Sequence, residues 1–535
     1  MKNEEEDLTE VTRREFLYWA AMGAAGMTLA GLPGLTEGAE KKPKYGGRLR
    51  MGGRFASAGL DAHKNQFFPD FQNYLLMYNA LMISGPYPQV KVYPDLGKSY
   101  EISPDGREYT FSLREKVKFH HGKELDSGDV KYSIERVMNP VTRSPRAFAY
   151  RWIDAIQILD KYHLSIRLKE PLGPFLTTLT IQHCPIIPAG WEPTPTKPAP
   201  GTGPFVFKSF VPNETIELTR FDQYWEYDEK TGNRLPYLDG FYLKKIVDEM
   251  VRWTALRAGD VDLIHVPPRN IVLQEVRKPT PGIVTLVNDP TACDAIIFNT
   301  TKPPYDHKKV RQAIAFGIDK KEMVKAAYWG LAEALNNQPF SNRCWMYIPV
   351  QDREADLDRA KKLLAEAGHP NGFKTEILTF SDVTRVEGTN AVVGQLKKIG
   401  IDASIRIIDR APFYELCRKG EYSIAFRGDS ERLDPDDVYY PWFHSSEISK
   451  NNWSRYTNKE LDGLLEKGRT LWKWEDRMPV YKKIVEIVKE DLPILYLAKP
   501  INPSAWRDYL SGYKGEASTW IGYYGGGLRY AWFDK

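Results

Sequence analysis

Hydrophobic and polar positions alternate in the first third of the chain, and this alternation predicts strands. The stretch GGRLRMGGRF, residues 46–55, alternates and ends in glycine-rich sequence. Residues 98–119 predict two strands joined by the turn SPDG, because proline and Asp-Gly supply the turn geometry. In the second of these strands, Tyr109, Phe111 and Leu113 fall on one face.

A helix is predicted after this pair of strands. Asp126 suits its N-cap, Asp129 stands three residues later, and Pro140 ends the pattern. His120 and His121 therefore lie between a strand and a helix. Neighbouring strand residues point to opposite faces, so two such imidazoles cannot readily share an ion, and we predict a turn rather than a metal site.

From residue 372 the hydrophobic pattern changes and predicts strands that alternate with helices. It predicts a strand over 372–380, a helix over 387–399, a strand over 401–408, a short helix, and a strand over 422–428. The order β-α-β-α-β favours a parallel sheet with helices on its faces. Ligands of such sheets bind beyond the carboxyl ends of the strands. A solvent-exposed acidic loop that binds no ligand would show the same sequence pattern. The candidate binding residues at this edge are Arg427, Asp429 and Glu431.

The N-terminal residues 1–39 are predicted to be an export signal and not part of the fold. Arg13 and Arg14 precede Phe16 and Leu17, and no charged residue follows until after Thr36. This pattern resembles the twin-arginine translocation signal, which exports folded proteins. The same stretch could be a retained anchor, but its glycines and proline make it a poor permanent membrane helix.

Composition narrows the classes of function. The chain has 535 residues and a net charge of only +4, with the basic residues dispersed, so we expect no nucleic-acid partner. The four cysteines lie too far apart in sequence for a zinc knuckle or a redox pair, although export would permit disulfides. Residues 97–99, GKS, lack the earlier glycine of a phosphate loop, and Ser57 lacks the glycine of a nucleophile elbow. We therefore predict no catalytic residue, no metal site and no cofactor.

The segment from Tyr93 to Val137 resembles the family 5 extracellular solute-binding proteins of ABC transporters, which include dipeptide- and oligopeptide-binding proteins. Further similar segments follow in order: GTGPFVFKSFVPNETIELTRFDQYW (201–225), LPYLDG (235–240), ALRAGDVDL (255–263), FNTTKPPYDHKKVRQAIAFGID (298–319) and LKKIGIDASI (396–405). In such proteins the position of His121 is usually Asp, which agrees with a turn.

The resemblance implies an α/β fold of the two-lobed periplasmic-binding-protein type II, the "Venus flytrap", with an extra inserted α+β domain. One lobe would combine residues 40–62, 200–290 and 500–535. The inserted domain would span 63–199, and the second lobe 291–499. Such lobes close on a ligand by a hinge motion.

The resemblance also implies a ligand site. In peptide-binding members, an Asp after a Gly-Trp strand end pairs with the ligand's α-ammonium. Asp429 matches that position by its preceding glycine, and Glu431 matches it when counted back from Asp434. The loop expected to contain Arg385 lies where dipeptide binders offer an arginine to the ligand carboxylate. The tryptophan is replaced here, and Arg427 in its neighbourhood would instead favour an acidic or hydroxyl-rich ligand. Trp442 could line the pocket.

The function predicted from these features is that of a monomeric periplasmic receptor, not an enzyme. It would capture a small-molecule ligand, a di- or oligopeptide, and deliver it to the permease subunits of an ABC importer. Three alternatives stay open: an oligosaccharide binder, a chelated-nickel binder using His444, and an exported hydrolase with a carboxylate pair.

Overall fold

The computed structural model describes residues 42–535 apart from 55–56, 58, 65–67, 87–90, 181–183, 288–291, 431, 502, 516–521 and 524–525. The predicted export signal, residues 1–39, lies outside the described residues. No helix within the described part of the chain is long and apolar enough to cross a membrane.

The described strands form three larger sheets and several short pairs. In chain order they are β1 (Arg48–Gly53), β2 (Met82–Ser84), β3 (Val92–Pro94), β4 (Gly97–Ile102), β5 (Glu108–Leu113), β6 (Ile153–Ile158), β7 (His163–Leu168), β8 (Phe205–Val211), β9 (Thr215–Arg220), β10 (Gly240–Lys245), β11 (Leu263–His265), β12 (Ile283–Leu286), β13 (Ala292–Phe298), β14 (Ala332–Ala334), β15 (Phe373–Phe380), β16 (Ile401–Ile408), β17 (Ile424–Ser430), β18 (Ile494–Pro500), β19 (Ser504–Arg507), β20 (Leu510–Ser511), β21 (Gly522–Tyr523), β22 (Gly526–Gly527) and β23 (Trp532–Phe533).

The described α-helices flank these sheets. They are α1 (Phe68–Met77), α2 (Ser127–Met138), α3 (Phe175–Thr178), α4 (Glu249–Ala258), α5 (Arg269–Arg277), α6 (Lys308–Gly317), α7 (Lys320–Tyr328), α8 (Leu357–Glu366), α9 (Val383–Lys397), α10 (Arg410–Lys419), α11 (Asp436–Phe443), α12 (Lys459–Thr470) and α13 (Trp474–Asp491). Single 3-10 turns occur at Ala147–Tyr150, Ser445–Glu447 and Leu528–Tyr530.

The first sheet has seven strands in the order β12-β19-β11-β1-β10-β9-β8. Its central strand β1 runs parallel to both neighbours, β10 and β11, while the outer pairs are antiparallel. Strand β1 buries Leu49 and Met51 in the core, as the alternation in residues 46–55 predicts. The sheet draws strands from three separate parts of the chain.

The second sheet has six strands in the order β14-β18-β13-β17-β15-β16. Strands β15, β16 and β17 are parallel, which confirms the predicted β-α-β-α-β unit. Strand β13 is antiparallel to both β17 and β18, so the sheet as a whole is mixed rather than parallel. Two hydrophobic cores cover its faces, one containing α6–α9 and the other containing α10–α13.

The third sheet has four antiparallel strands in the order β4-β5-β7-β6, and α2 packs with it. The predicted hairpin around SPDG is β4–β5. Helix α2 begins with the predicted capping box, in which Asp126 accepts from the backbone N–H of Asp129 and Asp129 accepts in return. The first sheet comes from the segments of the first predicted lobe, the second sheet from the second lobe, and the third sheet from the predicted inserted domain. The domain boundaries themselves stay a prediction.

The two adjacent histidines lie in the turn after Phe119, as predicted. The His120 Nε2 lies 3.0 Å from the carbonyl oxygen of Gly203, and its ring packs on Phe221. Burial lowers the pKa of His120 to about 4. The His121 ring packs instead on Phe119 and Trp191. The histidines thus serve two separate packing sites and tie this turn to the start of β8.

Two local expectations about the second-sheet helices were wrong. Helix α9 begins at Val383, four residues before the predicted start, because Asp382 caps it by accepting from the backbone N–H of Arg385. Arg385 therefore lies on a helix and not on a loop.

The four cysteines are all buried and free, so no disulfide joins them.

Candidate functional site

The carboxyl ends of the parallel neighbours β15 and β17 form a topological switch point in the second sheet, which we call the crevice. The helix after β15, α9, packs in the core on one face of the sheet, whereas the helix after β17, α11, packs in the core on the other face. Their connections therefore leave the sheet in opposite directions and open a gap between the two carboxyl ends. Ligands of α/β sheets bind at such a switch point. The predicted edge with Arg427 and Asp429 lies there.

Arg427 and Asp429 point to the same face of β17 because they are two residues apart. The Arg427 guanidinium lies 4.3 Å from the ring centroid of Trp442 and 4.3 Å from that of Trp453. Its Nη2 lies 2.7 Å from Asp429 Oδ2, and the Arg427 side chain is only 7% exposed. Stacking between two indoles fixes the guanidinium plane and compensates for lost hydration.

Asp429 has a second cationic partner. Arg432 Nη2 lies 3.1 Å from Asp429 Oδ1, so each carboxylate oxygen faces a guanidinium. Arg432 is the more accessible of the two arginines, with 30% of its side chain exposed. The prediction that Asp429 holds a ligand's α-ammonium stays a prediction, and such a ligand would meet a carboxylate that is already paired.

Arg385 approaches the crevice from the opposite face of the sheet. It forms an ion pair with Asp294, which is fully buried on β13 and also accepts a 2.5 Å hydrogen bond from the Tyr328 hydroxyl. Burial raises the pKa of Asp294, while Arg385 and Tyr328 oppose the shift. Gly428 lets the guanidinium lie against β17, because a Cβ there would come within 2.2 Å of Arg385.

Side chains from the first-sheet part of the molecule reach the same end of α9. Arg54, just after β1, lies 3.1 Å from Asp382, the cap of α9. Arg269, the first residue of α5, lies 2.8 Å from Glu387 and donates to Thr384 at 2.9 Å. The crevice therefore faces the first sheet, and ion pairs bridge the two parts beside it.

Two titratable groups near Arg432 have shifted pKa values. Arg146 precedes the 3-10 turn Ala147–Tyr150, and burial together with the positive charge of Arg432 lowers its pKa to about 10. The acidic run after Arg432 is mostly paired: Asp434 binds Arg477 at 2.5 Å and 2.8 Å. Asp437 differs, since burial and its acidic neighbours raise its pKa to about 7.

The remaining predicted residues fall in different places. Trp442 is 4% exposed and stacks on Tyr496, so it belongs to the core and reaches the crevice through Arg427. Glu431 lies outside the described residues. His444 is buried, stacks on Tyr440 and contacts Ser446 through Nδ1.

Sequence reasoning missed several residues of this site. Arg432 follows Asp429 by three residues in the sequence, and its charge so close to Asp429 was a usable signal. Trp453, Asp294, Arg54 and Arg269 come from distant parts of the chain, and no local pattern marks them.

The surface also has a cavity of about 450 Å³ at the other end of the second sheet. Its lining includes Asp306, His307, His369 and Phe373. Phe373 begins β15, so this cavity lies at the amino end of the strand, away from the crevice. His307 is engaged as the cap of α6.

The chain is similar to known proteins over most of its length. The family model "Bacterial extracellular solute-binding proteins, family 5 Middle" matches residues 91–450. The heme-binding protein A of Haemophilus influenzae is 30% identical over 466 residues, which cover 81% of this chain and 83% of that protein. The dipeptide-binding protein of Escherichia coli K12 is 26% identical, with 82% and 86% covered.

A solved structure shows the same fold. The ABC transporter-associated periplasmic binding protein DppA of Helicobacter pylori, in complex with the peptide STSA, superposes with a TM-score of 0.76 at 28% identity. The match covers 92% of this chain and 99% of that one.

Proposed function

Since the chain belongs to the family 5 bacterial extracellular solute-binding proteins, we propose that it captures di- or oligopeptides between its two lobes for import. The family fold is the two-lobed type II periplasmic-binding fold, here with mixed α/β sheets. Its members are extracytoplasmic solute-binding components that work with ABC transporter permeases, and the relatives are binders rather than enzymes.

The observation that supports this proposal most is the arrangement of the crevice. Charged groups from both faces of the second sheet, Asp429 on one and Arg385 on the other, converge at the ends of β15 and β17. The first-sheet residues Arg54 and Arg269 close over the same end. A ligand held there would be enclosed by both lobes and desolvated, which strengthens hydrogen bonds to its main chain.

The names of the relatives support a peptide more than the alternatives. They include a dipeptide-binding protein, glutathione-binding proteins and a structure with the peptide STSA. One relative is named as a heme-binding protein, so a non-peptide ligand is the competing alternative. We place the ligand at Arg427, Asp429, Glu431 and Arg385, with Trp442 acting through its stacking on Arg427.

The proposal includes the route and state of the protein. We propose export by the twin-arginine route through Arg13 and Arg14, action as a monomer, and the lobe and domain boundaries given above. Replacing both arginines by lysine should leave the protein in the cytoplasm, which fractionation would detect; periplasmic protein from that variant would contradict the route.

Native mass spectrometry, followed by denaturing mass spectrometry, of the full chain purified without refolding tests the ligand class. A set of released masses that fragment as short peptides would support the proposal. Release of a sugar, a nickel complex or heme alone would overturn it. Hydrolysis of added peptides by the pure protein would instead indicate an exported hydrolase.

A further inference from the structure

The predicted inserted domain, residues 63–199, is fixed to the lobe that contains the first sheet. One hydrophobic core contains Leu49 of β1 together with Tyr78 of the inserted domain. Arg136 of the inserted domain also donates two hydrogen bonds, of 3.1 Å and 2.9 Å, to Asp61, and both side chains are only 4% exposed. Because a close-packed shared core and a buried ion pair resist separation, the inserted domain moves with the first-sheet lobe.

The lobe that contains the second sheet has hydrophobic cores of its own. In the described part of the chain, its two cores consist only of residues between Cys293 and Ala498. Neither core therefore has to be divided when this lobe moves relative to the first-sheet lobe and the inserted domain. We expect a contact between the second-sheet lobe and the inserted domain to break when the lobes separate by a hinge motion.

Gly106 of the inserted domain makes such a contact. It lies in the SPDG turn between β4 and β5 with a φ of +69°, and a Cβ on it would come within 2.6 Å of Trp472 Nε1. Trp472 lies in the short connection between α12 and α13 of the second-sheet lobe. Glycine at this position therefore permits the left-handed turn and also lets the indole ring pack directly against the backbone.

Gly173 of the inserted domain contacts the same connection. Its backbone N–H donates to the carbonyl oxygen of Arg469 at 2.8 Å, and a Cβ on Gly173 would come within 2.8 Å of the Arg477 guanidinium. The Arg469 guanidinium lies 5.8 Å from the ring centroid of Trp152, which also belongs to the inserted domain. Separate parts of the inserted domain thus meet one segment of the second-sheet lobe, residues 469–472.

This segment is bonded to the chain that follows the crevice. Arg469 Nη2 lies 2.8 Å from Asp436 Oδ2, and Arg477 Nη2 lies 2.5 Å from Asp434 Oδ1. Asp434 and Asp436 follow β17, the strand that ends at the crevice. The two arginines therefore connect the place where the inserted domain docks to the edge where we propose that the ligand binds.

We propose that the inserted domain is a clasp for the two lobes: its SPDG turn and Gly173 dock on residues 469–472, hold the lobes closed, and undock when the lobes open. The clasp stabilises the closed arrangement through contacts that an open arrangement lacks. This role goes beyond the proposed capture of peptides, because it operates in the ligand-free protein.

Gly106→Asn tests the clasp in small-angle scattering of the dialysed full chain, once mass spectrometry shows that no ligand remains. Asparagine tolerates a positive φ, but its side chain would collide with the Trp472 ring and push the contact apart. Gly190→Asn is the matched control, because Gly190 lies in the same domain at a φ of +77° and a Cβ there would meet no atom within 4 Å. We expect a larger radius of gyration for Gly106→Asn than for wild type, and no change for Gly190→Asn. Equal radii for all three proteins would overturn the inference.

Hydrogen exchange locates the effect at the clasp. The Gly173 amide is bonded to Arg469 across the contact, so a peptide containing it should exchange at least tenfold faster in Gly106→Asn than in wild type. The peptide that covers β5, inside the third sheet, should exchange at the wild-type rate.

Trp472→Ala approaches the same contact from the other lobe and adds no strain to the inserted domain. It should enlarge the radius of gyration and speed exchange at Gly173, whereas Trp329→Ala, at a tryptophan of the same lobe that is 47% exposed, should do neither. Thermal melts show whether each variant is folded. If Gly106→Asn also speeds exchange in β5, Trp472→Ala decides the question: an unchanged radius and unchanged exchange at Gly173 in that variant would contradict the clasp.

Neither measurement uses a ligand, so the clasp and the proposed function can fail separately. A protein that binds no peptide but opens on loss of the Trp472 ring keeps the clasp and loses the peptide function. A protein that binds peptides, with scattering and exchange unchanged in Gly106→Asn and Trp472→Ala, keeps the peptide function and loses the clasp.

Discussion

At the scale of single residues, Asp437 combines burial with neighbours of both signs. It faces Asp434 and Asp436 on its own segment, Arg432 before it, and Arg146 from the third-sheet part of the chain. Asp434 and Asp436 form ion pairs with Arg477 and Arg469, at 2.5 Å and 2.8 Å respectively. Burial and these two carboxylates raise the pKa of Asp437 to about 7.

The raised pKa of Asp437 predicts a pH-dependent stability. Between about pH 4, where a free aspartate titrates, and about pH 7, the folded chain keeps a proton that the unfolded chain has lost. The free energy of unfolding should therefore fall as pH rises through this window, by up to about 1.4 kcal/mol per pH unit from this group. Asp437→Asn should remove that contribution.

Urea unfolding at several pH values between 4 and 8 measures how the free energy of unfolding depends on pH. The comparison is between the slopes of wild type and Asp437→Asn, with Asp358→Asn, at an exposed position on α8, as the control. Identical slopes for wild type and Asp437→Asn would show that Asp437 titrates normally in the folded chain.

At the scale of elements, helix α9 contains two glycines in contrasting surroundings. A Cβ on Gly388 would come within 2.6 Å of the Phe426 ring and 2.7 Å of the Tyr328 hydroxyl. A Cβ on Gly394 would meet no atom within 4 Å. Gly388 therefore permits close packing of α9 on β17 and α7, whereas Gly394 only lowers helix propensity.

This contrast predicts opposite effects of the same substitution. Gly394→Ala should stabilise the protein by about 0.5–1 kcal/mol, because alanine loses less entropy in a helix. Gly388→Ala should destabilise it by about 1–3 kcal/mol, because the added methyl overpacks the core. Each variant is the control for the other in chemical denaturation, and a stabilising Gly388→Ala would contradict the packing described.

Local sequence patterns predicted many of these elements but not the site they build. The capping box of Asp126 and the parallel β15–β17 unit follow from rules that act within a few residues or one crossover. The antiparallel β13 and β18 join the same sheet from distant positions, and their pairing depends on tertiary packing. For the same reason the local sequence identified Asp429 as a candidate site residue. It did not identify Trp453, whose ring packs on Arg427, the ion-pair partner of Asp429.

At the scale of the whole molecule, ion pairs connect the two lobes beside the crevice. Arg269 of the first-sheet lobe lies 2.8 Å from Glu387 and donates to Thr384, and Arg54 lies 3.1 Å from Asp382. All three partners lie at the beginning of α9, the helix that also positions Arg385. Contacts made only when the lobes are together stabilise the closed arrangement relative to an open one.

Breaking one of these pairs should therefore weaken ligand binding without touching the ligand. Arg269→Glu places two negative charges together and should lower the affinity for a bound tripeptide about two- to fivefold, since a partly exposed pair contributes only about 0.5–1 kcal/mol. The double variant Arg269→Glu/Glu387→Arg restores opposite charges and should recover most of the affinity. Lys398→Glu, which breaks the pair of Lys398 with Glu322 within one lobe, is the control.

Small-angle scattering separates closure from simple loss of stability. If the pairs hold the lobes together, ligand-free Arg269→Glu should have a larger radius of gyration than wild type, and saturating ligand should return it to the wild-type value. The double variant should scatter like wild type in both states. An unchanged radius of gyration together with reduced affinity would mean that Arg269 acts on the ligand directly. An unchanged affinity would mean that contacts with the ligand, and not these ion pairs, supply the free energy of lobe closure.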